Sequence, residues 1–429
     1  MRPMILSALI LVGLQQPGGF VAGRYELAER MRRVEVAWMA TADTNRRRAA
    51  TDHISKATTS FFTGRGSEAC EALDEALAKL EGRRVRSTDA MNIRTDKPFC
   101  EPGATVPLRI TWAYRTSSVI PVRVAVGTGG IDVRPGSGGS LNVNPWVVNP
   151  ELRQNREVGY LMPIRVGNDQ RYVYLSFVRR IGDRLEKLKG SNTPFVSDMA
   201  KLLDGYQQGP GTLETELPLV QYLFTAEAVE EGKTRVGELD QVYFAKQGST
   251  SLRAAFPKKK SDGPMDVVIA LHGAGGSENM FFELYGRGLA VSEALKRGWA
   301  FVAPRAGPTA VDDTLIWLRQ TRGQALGKVF LLGHSMGGGT ALAGSYNVKP
   351  GAIATFAPAA AAIGDSLSGV PIYVAVGRAD MLHASVAALA AANQGRAGFV
   401  FEELDPCEHL MVVADALPAA FKFFDRNVD

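Results

Sequence analysis

The sequence predicts an α/β protein. Its C-terminal part reads as a mainly parallel sheet, preceded by a helical segment and a small antiparallel β-domain. Three observations carry this reading. From Asp240 onward, short continuous apolar runs alternate with helical stretches, as strands covered on both faces require. One of those runs leads straight into Gly333-His334-Ser335-Met336-Gly337. Between residues 98 and 180 the apolar period shortens to two, which suits half-buried antiparallel strands.

The elements follow in order. Arg2 precedes an apolar run at 4–14, too short to span a bilayer and suited to a signal-peptide core, with small residues at Val21-Ala22-Gly23. Residues 1–23 are therefore expected to be a signal peptide and the protein secreted or periplasmic; the alternative is an uncleaved hydrophobic start to the first helix. No later run is long enough for a membrane span. Residues 24–97 read as helical. Leu27, Met31, Val34, Trp38 and Met39 recur at three- and four-residue steps, and Ser67 is a candidate cap for a second helix carrying Ala69, Leu73, Leu77 and Leu80 on one face. The run Arg46-Arg47-Arg48 between them could touch an acidic surface, with a solvated helix face as the simpler reading.

In the β-domain, 98–180, strands are expected at 106–114, 120–126, 160–166 and 171–178, with Gly- and Pro-rich loops at 127–139. Trp112 and Trp146 could bind a sugar or polymer, but such residues more often pack a core. Residues 181–237 form a helical and loop connector. The last domain, 238–429, has strands expected at 267–271, 300–303, 328–332, 352–356, 372–376 and 399–404, with helices near 290–296, 340–346 and 385–392.

Composition excludes several classes. Apolar residues make up 45% and charged residues 22%, ordinary globular usage that argues against a disordered or collagen-like chain. Three cysteines cannot build a disulfide scaffold. Export would permit a Cys70–Cys100 bridge, and three buried thiols are the alternative. The net charge of +5 lies upstream: from Glu238 onward there are 17 Lys and Arg against 18 Asp and Glu. Four of the five histidines, His272, His334, His383 and His409, also fall in that near-neutral stretch. No nucleic-acid partner is implied.

Gly-x-Ser-x-Gly between a buried strand and a helix puts a serine on a strained turn, its hydroxyl projecting above the sheet. A side chain at Gly333 or Gly337 is expected to collide with the neighbouring strand or helix. A nucleophilic serine needs a base, an orienting carboxylate and donors for an oxyanion. The strand at 372–376 is followed by Asp380 and the strand at 399–404 by His409, both on the rim where open α/β sheets build sites. The expected triad is therefore Ser335, Asp380 and His409. Asp365 and Asp405 are the rival acids, and neither ends a strand in the expected place. His383, three residues beyond Asp380, is the rival base and fits a pocket wall better. The oxyanion donors are expected at the amides of Met336 and Ala274, with Gly275 next in line. Gly275, His334 and His383 are candidate pocket residues, with packing near the turn the simpler role for His334, and His272 is expected to tie down its loop. The histidines lack metal-ligand spacing, so no metal or organic cofactor is expected.

Leu271-His272-Gly273-Ala274-Gly275-Gly276, Gly333-His334-Ser335-Met336-Gly337-Gly338 and Glu408-His409 resemble the α/β-hydrolase superfamily over about 190 residues. Within it they are similar to esterases related to polyhydroxybutyrate depolymerases and feruloyl esterases. The resemblance implies a serine esterase acting on a small-molecule or polymer-linked ester. Prolyl-oligopeptidase-type peptidases share the same domain and similar motifs, so a serine peptidase is the alternative. A non-catalytic binding protein is a third reading. The segment after 352–356 is too short for a large lid.

Overall fold

A computed structural model of the protein describes residues 20–149, 152, 157–208, 219–258 and 263–428. Most of the expected signal peptide, residues 1–19, lies outside these residues. Phe20 forms a bridge with Trp112, and the Val21 amide donates to the Trp112 carbonyl at 2.7 Å. Among the described residues no helix is long and apolar enough to cross a membrane. The described chain forms two compact units, 20–31 with 56–235 and 32–55 with 236–428. The division passes through helices α1 (Arg24–Ala40) and α2 (Thr44–Phe62).

The first unit contains α3 (Gly66–Glu81), then β1 (Met91–Thr95), β2 (Phe99–Cys100), β3 (Val106–Trp112), β4 (Val122–Val126), β5 (Gly129–Val133) and β6 (Gly139–Val143). A short α4 (Pro145–Val148) leads into β7 (Val158–Val166) and β8 (Asp169–Phe177), and α5 (Ile181–Lys189), α6 (Pro194–Gln208) and α7 (Val220–Glu230) follow. One sheet has the order β1-β3-β6 and the other β2-β8-β7-β4-β5. Pairing is antiparallel except between β2 and β8. β3 shows the two-residue period at work, with Val106, Leu108 and Ile110 buried and Pro107 and Arg109 exposed.

Three details differ from the sequence reading. α2 fills the stretch taken as a link between two helices, and β1 starts before residue 97. β5 lies within the Gly-rich segment 127–139 expected to be loop, and β6 starts at its last residue. Glycine is used there for close approach: a Cβ at Gly130 would lie 2.7 Å from the Val124 carbonyl. Trp112 and Trp146 are buried, the former donating to the Ser137 carbonyl at 2.8 Å and the latter packing on Phe177, so neither offers a binding platform. All three cysteines are free thiols.

The first unit also buries a polar network. Arg30 binds Asp74 at 2.9 Å, Asn92 at 2.8 Å and the Asp89 carbonyl at 2.9 Å, and Tyr114 donates to Asp74 at 3.0 Å. Burial disfavours the Arg30 charge, but Asp74 together with the neighbouring Cys70 and Glu29 outweighs it and raises the pKa.

The second unit is built on eight strands: β9 (Gln241–Gln247), β10 (Thr250–Ala255), β11 (Met265–Leu271), β12 (Ala300–Pro304), β13 (Leu326–His334), β14 (Ala352–Phe356), β15 (Ile372–Gly377) and β16 (Phe399–Leu404). Their spatial order is β9-β10-β12-β11-β13-β14-β15-β16. β10 is antiparallel to both neighbours and the rest are parallel. The six apolar runs read from sequence are the six parallel strands; the β9–β10 hairpin adds the antiparallel edge.

Helices α8 (Met280–Glu283), α9 (Leu289–Lys296), α10 (Ala310–Arg322), α11 (Met336–Ala343), α12 (His383–Ala392) and α13 (Met411–Asp425) connect and cover these strands. α10 and α13 are absent from the sequence reading. α13 packs on β14 and β15, and its Phe424 stacks on Phe330, which stacks in turn on Trp299, at 4.8 Å each.

Candidate functional site

β13 delivers Ser335. The strand ends at His334 and α11 starts at Met336, so one residue makes the whole turn. Its backbone sits at φ 51°, ψ −115°, a conformation that costs a side-chain-bearing residue about 1–3 kcal/mol. Backbone hydrogen bonds hold it there: the Ser335 amide donates to Phe356 and the Ala359 amide donates to the Ser335 carbonyl, both at 2.9 Å. A Cβ on Gly333 would lie 2.6 Å from the Gly337 carbonyl, and one on Gly337 would overlap the Leu271 carbonyl at the end of β11. The collisions expected at both glycines are present.

The loop after β11 comes up against this turn. A Cβ on Gly273 would lie 2.8 Å from His334 Nδ1 and 3.3 Å from Ser335 Cβ, so only glycine lets the loop approach. His272 anchors it. The Ala306 amide donates to His272 Nε2 at 2.9 Å, which leaves Nδ1 to donate to the Gly273 carbonyl at 2.8 Å. Ala274 follows, half-buried, and Gly275 is exposed with φ 78°. Met336 is the first residue of α11, where amides lack intrahelical partners.

Asp380 and His409 are brought together by the loops after β15 and β16. A Cβ on Gly377 would overlap the Cys407 carbonyl, so these loops run in close contact. His409 Nδ1 lies 3.0 Å from both Asp380 oxygens. A carboxylate accepts, so Nδ1 carries the proton and Nε2 is left as the basic nitrogen. The Leu382 amide fixes Asp380 from the other side at 2.7 Å. Both side chains are buried. The rival acids sit elsewhere: Asp405 pairs with Arg48 at 3.0 Å on the surface, and Asp365 opens a 3₁₀ turn, Asp365–Leu367.

His334 is 2% exposed and uses both ring nitrogens. Nε2–H donates to the His409 carbonyl at 2.8 Å and Nδ1 accepts from the Tyr285 hydroxyl at 2.6 Å, which leaves neither for a pocket ligand. Burial, with His409 beside it, holds its pKa well below the usual histidine value, so the ring stays neutral. His383 is partly exposed at the start of α12; its amide donates to the Asp380 carbonyl at 3.0 Å, while its ring contacts Glu403 at 2.7 Å rather than the Asp380 carboxylate.

Three residues here escaped the sequence reading of roles: Tyr285, Glu35 and Glu408. Glu408 accepts the Leu410 and Met411 amides, both at 2.8 Å, and so caps the start of α13. Desolvation pushes its carboxyl up to about 7. Glu35 accepts the Tyr285 amide at 2.8 Å and the Gly286 amide at 3.3 Å, and burial pushes it up to about 7 as well. A glutamate capping a helix from the residue before a histidine has a local signal. Glu35 and Tyr285 lie 250 residues apart and have none.

No family model matches the sequence, and no curated protein matches it. The fold is similar to several solved structures. They include S-formylglutathione hydrolase from Staphylococcus aureus (13% identity, 43% of this chain and 98% of that one, TM-score 0.34). Est1E from Butyrivibrio proteoclasticus is another (14%, 44% and 99%, TM-score 0.36). So is an esterase from Pyrococcus furiosus (16%, 43% and 91%, TM-score 0.35). The chain's own topology decides its class: a parallel sheet with an antiparallel second strand and a strand–serine–helix turn on its fifth. This is the α/β-hydrolase fold.

Proposed function

We propose that this protein is a serine hydrolase that cleaves carboxylic esters through an acyl-enzyme. The observation that carries the proposal is His409 Nδ1 held at 3.0 Å from both Asp380 oxygens, at the same sheet edge as the strained serine turn.

In the first half-reaction His409 Nε2 takes the Ser335 hydroxyl proton while the oxygen attacks the ester carbonyl. Asp380 holds the ring in the required tautomer and stabilises the imidazolium. The Ala274 and Met336 amides receive the oxyanion, Met336 with the positive end of α11 behind it. As the C–O bond breaks, His409 returns the proton to the departing alcohol. Water then attacks the acyl group, giving its proton to Nε2, and Ser335 leaves with a proton from the imidazolium. One feature of the second unit suits bulky esters. Between β14 and β15 the only regular element is the 3₁₀ turn Asp365–Leu367, with no covering helix.

The test is Ser335→Ala against a panel of short acyl esters, feruloyl esters and peptide amides, alongside fluorophosphonate labelling. The substitution should remove labelling and lower ester turnover by at least about 10⁴-fold. Labelling that survives it would sink the assignment of the nucleophile. Faster turnover of the amides than of the esters would overturn the ester reading.

A further inference from the structure

The residues around His409 include a set that the triad reading does not use. Glu35, on α1, holds the amides of Tyr285 and Gly286, and Tyr285 is kept at φ 50°, a left-handed conformation that favours glycine. The Tyr285 ring stands edge-on to Phe281 and to His334, with centroids 4.9 and 5.0 Å apart. Its hydroxyl donates to His334 Nδ1, and His334 Nε2–H donates to the main-chain carbonyl of His409. Tyr285, His334 and His409 are all buried. The geometry fixes every proton: the carbonyl can only accept, so Nε2 must donate, Nδ1 must accept, and the tyrosine hydroxyl must supply that hydrogen.

Helices α1 and α2 also hold the chain on either side of His409. Trp38 Nε1 donates to Asp415 at 3.1 Å, Arg47 reaches the same carboxylate at 3.3 Å, and the Cys407 thiol donates to it at 3.2 Å. Arg47 also lies over the Trp38 ring and donates to the Trp38 carbonyl at 3.0 Å. Arg48 pairs with Asp405. The arginine run is therefore not simply a solvated helix face; two of its three members hold the loop and helix that flank His409.

We propose that Glu35, Tyr285 and His334 are positioning residues for His409. Glu35 sets the strained turn that aims the Tyr285 hydroxyl; that hydroxyl fixes the tautomer and orientation of His334, and His334 pins the His409 backbone so that its ring meets both Asp380 and Ser335. The inference rests on the triad reading above. It makes part of the N-terminal helical segment a component of the active site's support, at a distance from any substrate.

The experiment uses the full chain and three variants: Tyr285→Phe, Glu35→Gln and, as control, Ser335→Ala. For each, kcat and KM on a short acyl ester, melting temperature, and the rate and final stoichiometry of fluorophosphonate labelling are measured. Tyr285→Phe removes one oxygen and keeps the ring packing. It should lower kcat and the labelling rate about five- to tenfold, with KM within about twofold and the stoichiometry unchanged, as the loss of one buried hydrogen bond implies. Glu35→Gln turns one of two acceptors toward an amide as a donor and should lower kcat at least as much. Wild-type kcat in Tyr285→Phe overturns the relay, as does a loss that disappears when rates are divided by titrated sites. Wild-type kcat in Glu35→Gln removes Glu35 from it. If Ser335→Ala keeps its activity and labelling, the triad reading itself falls; if Ser335→Ala is inactive and Tyr285→Phe is not slowed, only the relay falls.

Discussion

Each of the two units buries a network of charged and polar side chains, and the two are built on opposite terms. In the first, Arg30 faces Asp74, with Asn92, Tyr114 and the Asp89 carbonyl closing the circle. Opposite charges meet, and Arg30 is driven further into its charged form. In the second, Asp380 meets a histidine, while Glu35 and Glu408 are held by pairs of backbone amides. Amides offset desolvation less than a guanidinium does, so both glutamates sit near 7. The second network also adjoins a serine in a strained conformation. Buried polarity alone does not mark a site. The proposed site differs in having groups near neutral pKa next to backbone held out of its minimum.

Three substitutions test this contrast. The largest effect is expected from Asp380→Asn, which keeps the shape of the pair and reverses its hydrogen-bond sense. Steady-state kinetics should show kcat reduced by about 10³–10⁴-fold with the fold intact by circular dichroism. Unchanged turnover would put the Asp380–His409 pair in the same structural class as Arg30–Asp74. Next is Arg30→Met, which strands Asp74 without its cation. Urea unfolding should show a loss of about 3–5 kcal/mol, with kcat per titrated site unchanged. A drop in kcat per titrated site would mean that the first network also serves the chemistry.

The smallest effect is a pH dependence. Glu408 has a carboxyl near 7 in the folded chain against an ordinary 4.5. The folded state therefore binds more protons between those values. The stability this gives is fully present below 4.5 and is lost as pH rises through 7. Glu408→Gln does not titrate, so the stability of the wild type relative to this variant should fall by on the order of 3 kcal/mol from pH 4.5 to 8. A difference that stays flat in urea melts across that range removes the buried titrating group from the account. His334 titrates in both proteins and cancels from the difference.

The parallel strands and the serine turn were legible because their physics is local. Strands covered on both faces need unbroken apolar runs, and the turn needs glycine where carbonyls of Gly337 and Leu271 crowd it. Asp380 and His409 were legible one step further out, since each follows a strand end. Other features gave less. β5 and β6 hide among glycines chosen for close packing of Gly130 and Gly139, which mimics a loop. α2 carries Arg46, Arg47 and Arg48 on a polar sequence, and two of those arginines have partners more than 350 residues away. Nothing near Glu35 in the sequence points to Tyr285. For His334, beside the serine, the sequence offers both a packing and a pocket role, and only tracing both of its nitrogens decides for packing.

The membership of residues 32–55 in the unit that carries Ser335 has a practical side. A gene fragment beginning at 238 would encode all eight strands of the sheet and the proposed triad. It would also strip Asp415 of Trp38 and Arg47, and the Tyr285 turn of its carboxylate. The unit that carries Ser335 is then discontinuous in sequence, and a truncation series that steps inward from the N-terminus should lose the support of the Tyr285 turn once it passes Glu35, some two hundred positions before the sheet begins.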